Sequence, residues 1–396
     1  MHAIPTALCE QLDEFVAIRR DIHAHPELGL KEFRTSALVA DRLRTWGYTV
    51  TTGLAQTGLV AQLRRGSGSK RLGLRADMDA LPITEVANRA YASVHDGVMH
   101  ACGHDGHTAT LLAAAWYLAQ HGQFDGTLNL IFQPAEEHPG GAALMLADGL
   151  FERFPCDAVY ALHNMPGVPQ GHFVFIDGAA MASSDDVFIT LRGAGGHGAM
   201  PHRAQDPVLA ASHIVVALQS IVSRNVNPQD TAVVTVGAIH AGQANNVIPA
   251  EASLSLSVRA LSREVRDLLQ ERITALVHHQ AQAFGVQAEV DYKRDYPVLV
   301  NTPAETELAR QVATALVSAD AVVAHGQALT GSEDFAFMLE HCPGSYLMVG
   351  NDAGHSASQS TTSPCLLHHP GYDFNDDNIG IAAAFWVALT ERFLSA

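Results

Sequence analysis

Basic residues are scarce in this sequence. Lys and Arg together number 24 among 396 residues, against 41 Asp and Glu, for a formal net charge of −17. A chain so acidic is repelled by phosphate backbones and anionic lipid, which excludes nucleic acid and membrane surfaces as partners. Cysteine is scarce too. Cys9, Cys102, Cys156, Cys342 and Cys365 are odd in number and widely spaced, so no disulfide framework is expected. Long apolar runs are missing. The longest, ATLLAAAWYLA (109–119) and IGIAAAFWVAL (379–389), are too short to span a bilayer and read as buried helices. The first residues, MHAIPTALCEQLDEF, carry neither a basic n-region nor an apolar h-region. These absences lead to the expectation of a soluble, cytoplasmic protein.

What is present is core-forming sequence. Hydrophobic residues make up 47% of the chain, enough for a sizeable core and, at this length, for two domains. Apolar residues at helical spacing predict helices over 8–26 and about 31–46. Strands and helices then alternate: RLGLRA (71–76), a helix over about 106–120, TLNLIF (127–132), a helix over 141–149, and AVYAL (158–162). That order predicts an α/β domain with a mostly parallel sheet. From about 184 the style changes. Strand 186–192, helix 206–223, strands 231–241 and 252–260, helix 262–284 and strand 286–292 follow the β-α-β-β-α-β order of a ferredoxin-like sandwich. The α/β style resumes at 306–318, 346–350 and 376–394. The expected organisation is a discontinuous domain, 1–183 and 295–396, with 184–294 inserted into it.

Histidine is frequent, at 22 residues, and MHACGHDGH (99–107) concentrates it beside a cysteine and an aspartate. In open α/β sheets, sites form beyond the carboxyl ends of strands. Asp77 and Asp79 follow one predicted strand, Glu136 and Glu137 another, and His163 a third. Cys102 and His104 precede a helix, and His368 and His369 lie in a later loop, LHHP. This mixture of thiol, imidazole and carboxylate suits divalent transition metals. Each residue also has a plain structural reading: a single buried His or Cys, a turn-capping Asp pair, a solvated Glu pair. Cys102 has no nearby cysteine partner, which argues against a zinc finger. The HExxH helix and the G-x-S-x-G elbow are both absent. GAGGHG (193–198) matches a dinucleotide fingerprint in form only. Pro201 and Pro207 interrupt the approach to the next helix, and strand 231–241 ends in HAGQ instead of an acid.

Taken together, RRDIHAHPELGLKE (19–32), GLRADMDALPITE (73–85), MHACGHDGHTA (99–109), QPAEE (133–137), ALHN (161–164), GAGGHGAMPH (193–202), GQANNVIPAEA (242–252), GSEDF (331–335) and LHHPGYDFND (367–376) carry a resemblance over nearly the whole chain. The chain resembles the aminoacylase/carboxypeptidase family of dinuclear metallohydrolases, in the branch of hippurate hydrolase, N-acyl-amino-acid amidohydrolases and auxin-conjugate hydrolases. The resemblance implies that Cys102, His104, Glu137, His163 and His368 hold two divalent ions, with Cys102 bridging them. Zinc or manganese is expected, with cobalt or nickel as options. It further implies Glu136 as general base and His197 as an oxyanion donor, in cis or across a dimer. Asn246 and Arg259 would bind the substrate carboxylate or carbonyl, with an interstrand salt bridge as the rival reading of Arg259. Family register favours His368 over His369. The inserted domain would serve as lid and dimer contact in a homodimer or larger homo-oligomer. The implied reaction is hydrolysis of an N-acyl-L-amino acid. A dipeptidase or carboxypeptidase is the alternative within the same chemistry, and a non-catalytic binding module the alternative outside it. Asp105 and His107 are open between orienting His104 and capping the loop. His100, His202 and His240 read as surface residues, and Glu333 and Asp334 as pocket or helix-cap residues.

Overall fold

A computed structural model describes residues 4–87, 89–352 and 365–395. The chain divides into two compact units. The first comprises Met1–Gly178, Val300–Gln327 and Asp334–Ala396; the second comprises Ala179–Leu299 and Ala328–Glu333.

Among the described residues, eight strands form the sheet of the first unit. Their order is Thr49–Leu54, Gly58–Arg65, Gly126–Gln133, Arg71–Asp77, Ala158–Pro169, Gly344–Asp352, Phe173–Val174 and Val322–Val323. The four central strands, Gly126–Gln133 to Gly344–Asp352, run parallel to one another. The outer hairpin and the contact to Phe173–Val174 are antiparallel. The central strands are buried along most of their length, as a parallel sheet covered on both faces requires. Helix His104–Gln120 carries eight Leu and Ala residues and is buried through most of its turns. It packs against Asp377–Phe393, which is equally apolar all round.

Three details depart from the sequence reading. The helix expected over 8–26 is two helices, Thr6–Cys9 and Leu12–Ala24, broken at Glu10–Gln11, where neither Gly nor Pro marks the break. The hairpin of Thr49–Leu54 and Gly58–Arg65 was not anticipated. Its turn places Ala55 and Gln56 at φ +46° and +68°, positions where a sequence signal would be Gly or Asn. The strand expected to end at 162 runs on to Pro169.

The second unit contains a four-stranded antiparallel sheet in the order Ala232–Ala241, Glu251–Ala260, Asp185–Arg192, Gln287–Arg294. With helices Pro207–Arg224 and Arg263–Ala283 this is the ferredoxin-like arrangement. Strands alternate buried and open positions, and Val187, Ile189, Leu191, Leu254 and Leu256 join Ile214, Leu218 and Ile273 in a core of their own. Helix starts are written locally. Asp206 accepts from the N–H groups of Val208 and Leu209 ahead of Pro207 at the first turn, and Ser262 accepts from Val265. Pro207–Arg224 is the one described helix long and apolar enough to cross a membrane. Its Ala210, Ile214, Leu218 and Ile221 face the unit's core, which is the ordinary reason for such apolarity.

Candidate metal centre

The first unit gathers its chemistry at the carboxyl ends of its central strands. Strand Arg71–Asp77 leads to Asp79, strand Gly126–Gln133 to Glu136 and Glu137, and strand Ala158–Pro169 carries His163. Cys102 and His104 meet them across a tight turn. Gly103, between the two, has φ +90°, and a Cβ there would sit 2.4 Å from Asn164 Nδ2 and 2.6 Å from Tyr372 Oη. Only glycine fits that approach. Asn164 Nδ2 donates to the Cys102 carbonyl at 2.6 Å, and Tyr372 Oη donates to Asn164 Oδ1 at 2.6 Å. The His368 loop is fastened beside the same turn by the His368 N–H donating to Ala101 O at 2.8 Å.

Three overlapping sets of donor atoms result, each with its atoms within 4.8 Å of one another: Cys102, His104 and His163; Cys102, Glu137 and His368; His104, Glu136 and Glu137. Cys102 Sγ is 3.4 Å from His163 Nε2, and His368 Nε2 is 3.0 Å from Glu137 Oε1. The neighbouring His369 instead accepts from the Gly371 N–H at 3.0 Å, and both histidines are exposed.

The imidazoles are oriented from behind. His104 Nδ1 sits 2.9 Å from Asp79 O and 3.1 Å from Asp79 Oδ1, while its Nε2 is fully buried without a hydrogen-bond partner. His163 Nδ1 donates to Asn164 O at 2.6 Å, which turns its Nε2 toward Cys102. One ring nitrogen tied down and the other aimed at a cluster of donors is the arrangement of a metal-ligating histidine. An orphaned buried nitrogen is otherwise costly. The donor set therefore fits divalent cations.

The electrostatics fit as well. Burial, and then the negative charges of Glu137, Glu136 and Asp77, push the Cys102 thiol well above its ordinary value. Burial alone would lower His104, but Asp77, Asp79 and Glu137 outweigh it and hold that ring up to about 10. Burial and the neighbouring His107 drive His163 well below its usual value. The hydrogen bond to Glu137 raises His368. A bare cluster thus disputes its protons, and a divalent cation removes the dispute by favouring thiolate and neutral imidazole together.

Several residues take places that spacing did not assign. Asp79 accepts the backbone N–H of Glu136 and of Glu137, each at 3.0 Å, besides holding His104. Asp77 is engaged by Arg75 at 2.6 Å and His107 Nδ1 at 2.7 Å. His107 Nε2 accepts from the Asn164 N–H, so both of its ring nitrogens are occupied. Asp77, His104 and His107 lie close enough to hold an ion, yet Asp77 and His107 already satisfy each other. Asp105 does not touch His104. It sits 2.8 Å from Arg19 Nε and from His23 Nδ1, deep below the loop. Asp334 accepts from Gln133 and from the Ala142 N–H rather than capping helix Phe335–Leu339. His100, expected at the surface, is buried, whereas His202 and His240 are exposed. His100 packs beside the His23 ring, with centroids 6.3 Å apart, and no spacing in the sequence reports that.

His197, Asn246 and Arg259 belong to the second unit. His197 pairs with Val247 in a two-stranded ribbon, Gly198 donates to Asn246 O at 2.8 Å, and His197 and Asn246 are both exposed. Arg259 faces Val233 across its strand and donates to Ser332 Oγ at 2.8 Å, in place of a cross-strand carboxylate.

The family model for Peptidase family M20/M25/M40 matches residues 73–392. The chain belongs to this family. Members similar to it include a hippurate hydrolase of Campylobacter jejuni, 44% identical with all of both chains aligned. An N-acetyl-L-cysteine deacetylase of Bacillus subtilis is 38% identical over 99% of this chain and 91% of the relative. Among solved structures, a Bacillus subtilis dinuclear metal binding peptidase of the M20 family superposes with a TM-score of 0.84 at 30% identity, covering 98% of this chain and 99% of that one. As a member of the M20/M25/M40 family, this protein is a metal-binding hydrolase.

Proposed function

We propose that the protein hydrolyses the amide bond of N-acyl-L-amino acids, of hippurate or N-acetyl-amino-acid type, to a carboxylic acid and a free amino acid. The observation that carries this reading is the pair Glu136–Glu137 beside Cys102, His104, His163 and His368, with the His104 Nε2 orphaned among them. Cys102, His104, Glu137, His163 and His368 are the residues that would hold two divalent ions, zinc or manganese by donor chemistry, and Cys102 belongs to two of the donor sets. When bound, such ions polarise the amide carbonyl and lower the pKa of water.

The remaining work falls to the chain. Glu136 takes the proton of the attacking water and returns it to the leaving amine. Asp79, by holding both peptide N–H groups of the glutamate pair, keeps one carboxylate for proton transfer and the other for the cation. For His197 we keep the role of oxyanion donor. For Asn246 and Arg259 we keep recognition of substrate carbonyl and carboxylate, where a guanidinium offers a bidentate grip. The proposal includes a homodimer through the second unit. The open edge of strand Ala232–Ala241, and the exposed Ile239 and Val216, the latter 73% accessible, support it.

Glu136→Gln is expected to retain its metal while losing roughly 10²–10⁴-fold in kcat, the range for a general acid–base group. Metal content and turnover of hippurate, N-acetyl amino acids and dipeptides, with and without chelator, check it. Full turnover in Glu136→Gln, or turnover indifferent to chelator, refutes the mechanism, and a preference for dipeptides refutes the substrate class.

A further inference from the structure

The motif RRDIHAHPELGLKE (19–32) supplies no proposed ligand or catalytic residue, yet its last part lies against the loop that carries the glutamate pair. Glu32 is fully buried. Its carboxylate accepts from Thr57 Oγ1 at 2.6 Å and from the backbone N–H of Ala135 at 2.9 Å. Ala135 immediately precedes Glu136 and has φ +52°, in the left-handed region that a residue with a Cβ avoids unless its surroundings hold it there. The contact extends along the segment. The Ala80 N–H donates to Glu27 O at 2.8 Å, and Leu28 bridges Ala80. A Cβ on Gly29 would come 2.5 Å from His138 O and 2.9 Å from Ala135 Cβ, so this backbone and the loop 135–138 are in closest approach. The loop is gripped at successive amides, by Asp79 through those of Glu136 and Glu137 and by Glu32 through that of Ala135.

We propose that Glu32 is a positioning residue for hydrolysis: by holding Ala135 in its left-handed conformation, it sets the direction in which Glu136 and Glu137 leave the strand. The inference rests on the role given to Glu136 above. Both bonds at Glu32 are accepted ones. Glutamine can keep the Ala135 bond through its oxygen and donate to Thr57 Oγ1 through its amide nitrogen, whereas alanine keeps neither.

The test uses the full-length, metal-loaded protein with the acyl-amino-acid substrate it turns over best. Glu32→Ala is expected to lose at least tenfold in kcat with KM within threefold, and to release metal faster on dialysis against chelator. Glu32→Gln should return kcat to within threefold of the parent. Gly29→Ala, which pushes the same loop from the same side, should reproduce the Glu32→Ala loss. Parent kcat per metal-loaded molecule in Glu32→Ala, or equal loss in the Gln and Ala variants, overturns the proposal. Should Glu32→Ala not fold, parent kcat in Gly29→Ala overturns it. Glu136→Gln run in parallel separates the two ideas. If that variant is active, the role of Glu136 falls; if it is inactive while Glu32→Ala is fully active, only the brace falls.

Discussion

His23 offers a sharp test of how charge is stored beneath the site. The ring is fully buried, 2.8 Å from Asp105 and 3.4 Å from Glu85. Burial opposes the imidazolium, but the charge and hydrogen bond of Asp105, together with Glu85, outweigh it and raise the ring from 6.5 to about 9. A histidine raised on folding stabilises the folded state fully below its unfolded pKa. That contribution drains away as pH rises through the folded value. The window is therefore pH 6.5 to about 9. At 1.36 kcal/mol per pK unit, a shift of this size corresponds to about 3 kcal/mol. His23→Asn removes the titration and serves as reference. Urea unfolding of both metal-loaded proteins should show parent stability exceeding the variant's by about 3 kcal/mol more at pH 6 than at pH 10, a midpoint difference of roughly 1 M or more. A difference that stays constant across that range refutes a charged His23 at neutral pH.

Two further outcomes follow from the packing. In the second unit, the buried Asp185 is held by Arg266 Nε at 2.9 Å and by Tyr292 Oη at 2.9 Å. Arg266→Met strands that carboxylate and should cost about 3–5 kcal/mol, read as a lowered denaturant midpoint, while a loss under 1 kcal/mol would show the pair to be dispensable. In the first unit, a Cβ on Gly106 would lie 2.3 Å from the ring of Phe374. Gly106→Ala should therefore destabilise by about 1–3 kcal/mol despite its better helix propensity, and a raised melting temperature would contradict the overpacking argument.

The architecture was legible because its periodicities are strong. Alternation in 185–192 and 251–260, and apolar helical faces in 207–224 and 263–283, spell the ferredoxin-like order without help from long-range contacts. The hairpin at 49–65 was not, because its turn uses Ala and Gln where pattern reading looks for Gly or Asn. At the candidate site, residue types and their places after strands pointed to Asp77, Asp79, Cys102, His104, Glu136, Glu137, His163, His368 and His369; the family resemblance narrowed these to Cys102, His104, Glu136, Glu137, His163 and His368, which the fold brings together. Their supports were illegible for a physical reason. Glu32 meets Ala135 across 103 positions of chain, and Asp79 meets Glu136 across 57. Spacing carries no trace of such bonds. His100 was misread because a polar type was taken as a surface residue.

Strand Gly344–Asp352 lies inside the sheet, between Ala158–Pro169 and Phe173–Val174. On a ribosome, Ala158–Pro169 emerges ~180 residues before the neighbour that completes it, a separation that makes the pairing intrinsically slow. Until then one edge of an apolar strand presents open peptide groups, the kind of edge that recruits other chains. The strands of the four-stranded sheet between them all fall within residues 185–294, so their pairing is local by comparison. A nascent chain halted before residue 340 would therefore hold a completed insert and an unfinished sheet. His368 would still be unmade, so the donor cluster could close only after nearly the whole chain had been synthesised.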